Sequence, residues 1–183
     1  MPTDAPSVNR AFIKGVPPEE SRFRVYYPAL GSIVGNLLTL EFALRFFLHE
    51  ILGEERQPSC KPVQLVRVCK GEWIPWNHLT NHSTLNRLIG EANKKLEELN
   101  RPERVDLSLV QLRDALAHGR VFSGVGPNGP YRLLKFSRPR KEDGMVQVEV
   151  SIELTEEWLQ SQVHQTAEAF NKIETVRQSL HPE

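Results

Sequence analysis

Leu109-Val110-Gln111-Leu112-Arg113-Asp114-Ala115-Leu116-Ala117-His118-Gly119-Arg120-Val121-Phe122-Ser123 changes its hydrophobic period part-way along. Leu109, Leu112 and Leu116 recur at three- and four-residue steps, the spacing of one helix face. Asp106 stands where an N-cap belongs, and Gly119 where such a run stops. Beyond Gly119 the pattern turns to strands, predicted at residues 121–123, 131–136 and 145–154. The last alternates cleanly, with Val146, Val148, Val150, Ile152 and Leu154 on one parity. Residues 126–130 and 141–144 carry the glycine and proline of turns.

Working outward, Thr155-Glu156-Glu157 predicts the start of a further helix, with acids at its positive end. Its stripe is Leu159, Val163, Thr166, Phe170, Ile173 and Leu180. Upstream, residues 81–99 form a helix with Leu85, Leu88, Ile89, Ala92, Leu96 and Leu99 inward, capped by Asn81 or Ser83 and ended by Arg101-Pro102. Residues 29–52 form a long amphipathic helix stopped by Gly53, with Pro28 in its first turn. Glu41 lies on the apolar stripe of that helix and needs a partner. It can pair with Arg45 or a basic group on another helix, or it can orient Arg113. Between the first two helices, a stretch carrying Pro58, Pro62 and Pro75 and a short β-like run at residues 63–68 is expected to be irregular with a short strand or helical turn, and Trp73 and Trp76 are expected to anchor it to the core.

The outline is mainly α: an antiparallel four-helix bundle with an inserted β-hairpin or small antiparallel sheet before the last helix. Residues 1–25 read as an N-terminal arm. Residues 26–183 read as one helical domain, with an irregular loop at 54–80 and the β-hairpin at 120–154.

The chain has 183 residues with 23 basic and 23 acidic side chains, so its formal net charge is zero. That excludes a strongly basic coat for nucleic acid; any such contact must come from a local patch. It also leaves little repulsion between copies. Two cysteines suit a reducing cytoplasm, the expected location. The first residues lack the basic and apolar regions of a signal peptide. Glu41, Arg45, His49 and Glu50 interrupt the longest apolar run, so no plain membrane span is expected.

Arg113 and His118 carry the chemistry. A guanidinium grips a phosphate through its planar fork of donors, and an imidazole moves protons near neutral pH. At about 100° per residue the two lie about 140° apart on an ideal helix, so one helix aims both at a single atom only with difficulty. Two helices meeting across a twofold axis can do so. Asp114, four residues before His118, shares its face and can orient the imidazole. Arg120 is a candidate phosphate-positioning residue. A competing reading makes His118-Gly119-Arg120 a simple helix terminus, where cations are favoured.

Arg113-Asp114-Ala115-Leu116-Ala117-His118-Gly119, late on the third long helix, resembles the Arg-x4-His motif of the HEPN (higher eukaryotes and prokaryotes nucleotide-binding) family. The first helix, with Asn36-Leu37-Leu38-Thr39-Leu40-Glu41 and Arg45, is similar in character to that of many such domains. The resemblance covers the chain from about Tyr27 to the last helix. It implies a metal-independent endoribonuclease acting on RNA, needing no cofactor, with the motifs of two protomers facing each other across a homodimer. Its alternative is a silent relative that binds RNA, a nucleotide or a partner protein. Carried over, Arg113 and His118 are catalytic, and Asp114 fills the polar position after the arginine. The resemblance also implies a setting such as defence or a toxin–antitoxin pair, with a cognate antitoxin or other partner. The hairpin is no fixed part of that family; a third reading gives the hairpin a role in assembly only.

Other candidates are weaker. Cys60, Cys69, His78 and His82 lack the two-to-four residue cysteine spacing of zinc fingers, so no metal is expected. Lys94-Lys95 and Arg138, Arg140 and Lys141 are small basic clusters able to track an RNA backbone but more often solvated. Trp73 and Trp76 have stacking on bases as their second reading.

Overall fold

Among the described residues, four helices and three strands follow one another in the order α1 (Glu20–Ile51), α2 (Leu85–Glu98), α3 (Ser108–His118), β1 (Arg120–Ser123), β2 (Tyr131–Phe136), β3 (Val148–Glu153) and α4 (Glu156–Leu180), with one 3-10 turn at Leu65–Arg67. The computed structural model describes residues 20–53, 65–123, 130–142 and 144–180. The fold is mainly helical with a small antiparallel sheet, β1-β2-β3 in order. The insertion before α4 is therefore a three-stranded sheet, not a two-stranded hairpin.

Helix α1 is the hub. Ile33, Leu37, Leu40, Leu44, Phe47 and Leu48 bury its inner side. It packs most extensively on α4 and also touches α2 and α3. It begins at Glu20, inside the segment read as an arm, and Pro28 falls in its interior rather than its first turn. Pro28 is exposed, so solvent can take up the carbonyl that its missing N–H releases. Tyr26 meets Tyr131 of β2 edge-on, ring centroids 5.0 Å apart, and this contact with the sheet favours helix before the proline. Gly53 ends α1 at φ +65°, the left-handed stop its position predicts. The stretch Tyr26–Ile51 is also long and apolar enough, by length and composition, to cross a bilayer.

Two polar ties join α1 to α4. Asn36 Nδ2 donates to the Thr166 hydroxyl at 3.1 Å and to the Val163 carbonyl at 3.2 Å. Arg177 bridges Glu50 at 2.9 Å and Glu174 at 2.7 Å, and both carboxylates hold its pKa above the ordinary arginine range, Glu174 more strongly.

Local chemistry sets the helix ends. Thr84, not Asn81 or Ser83, caps α2; its hydroxyl accepts the Arg87 N–H. Asn81 is occupied elsewhere, as described below. Asn100, at φ +55°, closes α2 with the Arg101 N–H on the Leu96 carbonyl and its own N–H on that of Glu97. Asn93 then pins the link to α3 by exchanging two 2.9 Å bonds with the Val105 backbone. The Asp106 carboxylate accepts the Ser108 N–H at 2.8 Å, but the N-cap of α3 is Leu107, not the expected Asp106, and no side chain caps it. Thr155 opens α4 by accepting the Trp158 N–H.

Gly119 is extended (φ −79°), so it is not a left-handed stop. It is required by close approach: a Cβ there would meet the Ala115 carbonyl and come within 2.7 Å of Leu133 Cδ1. Leu133, Ala115 and Leu154 form a second buried cluster, which seats the sheet on the end of α3. Leu133 and Lys135 share the inner sheet face by alternation, and the register Arg120↔Leu134 puts Arg120 on the other. Between Lys135↔Val150 and Phe136↔Val148 the register shifts, which leaves Glu149 opposite no residue of β2.

The connection between α1 and α2 departs from expectation at its tryptophans. Residues 54–64, including Cys60 and the start of the β-like run, lie outside the described residues. Leu65–Arg67 is a 3-10 turn, the helical turn of the two expected forms, and among the described residues no strand pairs with it. Trp73 and Trp76 do not anchor the connection: they are 100% and 77% exposed. The anchor is polar and comes from Arg45.

Candidate functional site

Arg45 reaches out from α1 and organises the wall beside the site. Its Nη2 lies 2.9 Å from Glu41 Oε1, one turn back on the same helix. Its remaining donors bind the carbonyls of His78 (3.1 Å), Asn81 (3.0 Å) and Ser83 (2.8 Å) and the Asn81 side-chain oxygen (2.8 Å). Glu41 thus takes the first of the partners open to it, and the guanidinium staples residues 78–83 to α1.

Arg113 on α3 and Glu41 on α1 both line two neighbouring grooves. One holds about 220 Å³ and is apolar, walled by Val34, Leu37, Leu38, Leu116 and Ala117. The other holds about 430 Å³ and is more polar, walled by His82, Ser83, Thr84, Asn86, Gln111 and Asp114 among others. Arg113 is exposed and makes no hydrogen bond or salt bridge with another described residue. A guanidinium lining a groove with its donors unused is equipped to take an anion.

His118 stands at the end of α3 with a side chain 63% exposed. Its Nε2 is 3.6 Å from Asp114 Oδ1, an ion-pair distance once the ring is protonated. Asp114 is shared: Lys135 Nζ of β2 lies 2.6 Å from its Oδ2 and 2.7 Å from Glu149 Oε2. The hydrogen bond from Lys135 holds the Asp114 carboxyl below the usual range. Asp114, then Glu149, holds the Lys135 ammonium above its own. At neutral pH this is a carboxylate clamped on one oxygen, with the other turned to an imidazole.

The fold therefore brings Arg113, Asp114 and Glu41 to one groove system and sets His118 beside Asp114. It does not bring Arg120 there; Arg120 is exposed on the sheet face away from Leu133 and Lys135. Sequence reading missed Lys135, Glu149 and the reach of Arg45. One signal was present: Lys135 shares its strand parity with Tyr131 and Leu133, and a lysine on an inward parity calls for a carboxylate.

Among the described residues, no group of three or more His, Cys, Asp or Glu side chains is placed to hold a metal ion. Cys69 is exposed, and His78 Nε2 lies 3.3 Å from Glu91 Oε2. Of the basic clusters, Lys95 pairs with Glu98 at 2.6 Å, while Lys94, Arg138 and Lys141 are exposed.

Comparison with protein-family models, with characterised proteins and with solved structures finds no match to this chain.

Proposed function

We propose that the chain is a HEPN-type, metal-independent endoribonuclease whose four helices form an antiparallel bundle and whose site is completed by a second copy. One observation carries the reading. Among the described residues Arg113 keeps its donors unengaged in a groove, five residues before an exposed His118 that lies beside Asp114. Helix-end props are tied to the last carbonyls of their helix; among the described residues neither side chain donates to a carbonyl of α3.

In the proposed reaction an RNA 2′-oxygen attacks the adjacent phosphorus and the 5′-oxygen leaves, giving a 2′,3′-cyclic phosphate. His118 transfers a proton, and Arg113 stabilises charge building on the phosphoryl oxygens. DNA lacks the attacking hydroxyl and is spared. Because the two groups diverge by about 140° on one helix, the imidazole and guanidinium serving one phosphate come from different copies. The apolar groove supports this. Val34, Leu38 and Phe42 recur every four residues on α1 and stay exposed, a stripe that a second copy would bury.

The same stripe favours a second reading, a silent module of this kind that docks a partner protein. Incubating the purified protein with mixed RNA in chelator separates the two. Cleavage to cyclic-phosphate ends is expected, falling by about 10²–10⁴-fold in His118→Ala with the fold intact. Identical behaviour of the wild type and that variant overturns the enzymatic reading.

A further inference from the structure

Trp73 and Trp76 pose a physical problem. Each places a large apolar indole in water, fully or nearly so, on a segment that is otherwise tightly held. Gly71, at φ +98°, makes the turn before them, closed by the Glu72 N–H on the Cys69 carbonyl. Pro75 between them has a fixed φ. The Thr80 hydroxyl donates to the Pro75 carbonyl at 2.7 Å and accepts the Asn77 N–H at 2.9 Å. The Asn77 and Asn81 side chains are buried, and Arg45 secures the rest of the stretch to α1. This network fixes the backbone that carries Trp76 and the turn that precedes Trp73. Their loop is ordered before any ligand arrives, which lowers the cost of binding one.

We infer that Trp73 and Trp76 form a stacking platform for unpaired bases of an RNA strand, which makes single-stranded RNA the substrate class of the neighbouring groove. Two observations favour RNA over a protein partner. Exposed Arg67 and Lys70 precede the tryptophans, against one acid, Glu72, so the platform carries the charge a phosphate backbone seeks. The same stretch also runs on into His82, Ser83 and Thr84, which wall the polar groove with Arg113. Trp76 stands six positions before His82, a reach of at most about 22 Å. A strand crossing the groove at Arg113 meets the indoles within a few nucleotides. Every base has a face to stack, so the platform selects unpaired strands without reading sequence.

The location of the strand rests on the proposed nuclease reading, but its binding can be tested without cleavage. The probe is a labelled 2′-O-methyl oligouridylate, which has no attacking hydroxyl, compared with its duplex by fluorescence anisotropy on the full chain. The single strand is expected to bind more tightly than the duplex and to quench tryptophan emission. Trp73→Ala/Trp76→Ala is expected to weaken it by roughly ten- to a hundred-fold, with unchanged circular dichroism, and Trp73→Phe/Trp76→Phe to recover part of the loss. Equal binding by wild type and the alanine variant overturns the platform, as does tighter binding of the duplex. Tryptophan-dependent binding without any cleavage upholds the platform and removes the nuclease. Cleavage indifferent to both tryptophans does the reverse.

Discussion

Lys135 Nζ lies 2.6 Å from Asp114 Oδ2, so a strand after the motif holds the carboxylate that serves the motif's imidazole. The folded Asp114 pKa is lowered, so its contribution to stability is present above its ordinary value near 3.8 and is lost as pH falls through the folded one. The folded Lys135 pKa is raised, so its contribution is present below 10.5 and is lost as pH rises through the folded one. Lys135→Met is therefore expected to lower the thermal midpoint slightly, most between those two limits. The difference from wild type should shrink at both extremes. A deficit that persists unchanged at pH 2 would show that the ion pair is not its cause.

Gly119→Ala tests the seat of the sheet. The added methyl meets Leu133 and the backbone carbonyl of Ala115, which accepts the N–H of residue 119 and is held in helix α3. A loss of about 1–3 kcal/mol is expected in urea unfolding, the usual cost of overpacking. A neutral result would mean that the end of α3 and β2 lie further apart than described.

Arg45→Leu removes the staple on residues 78–83 and strands Glu41 and the buried Asn81. About 3 kcal/mol of stability should be lost, as when one partner of a largely buried, charged network is deleted. Arg45→Lys should restore little of it, because one ammonium cannot span the four oxygens of the loop.

Leu38→Glu tests the composite site. Leu38 is 65% exposed, so the isolated fold should tolerate the charge with its unfolding midpoint nearly unchanged. Sedimentation should show loss of the dimer, and RNA cleavage should fall by about a hundred-fold or more along with it. A variant that is monomeric yet fully active would leave each copy with a complete site.

Much of the fold was legible because its signals are local. The stripe of Leu85, Leu88, Ile89, Ala92 and Leu96 is buried as its spacing predicts, though Leu99, expected on it, is exposed, and Thr155 accepts a helix-start amide as its position predicts. Helix starts were less legible where a distant contact intervened. Tyr131 extends α1 back past Pro28, and Arg45 occupies the Asn81 that was expected to cap α2. Trp73 and Trp76 were misread for the same reason. An aromatic pair flanking a proline resembles a core anchor, unless a guanidinium from another helix already holds the loop.

For the candidate site, the sequence alone determined that a guanidinium, a carboxylate and an imidazole sit within six residues at the end of one helix, because helical spacing depends only on near neighbours. Only the tertiary structure decided that Glu41 shares the groove of Arg113, that Lys135 clamps Asp114 and that Arg120 faces away. Those relations join segments far apart in the chain, and they follow from strand register and helix packing, which no local pattern encodes.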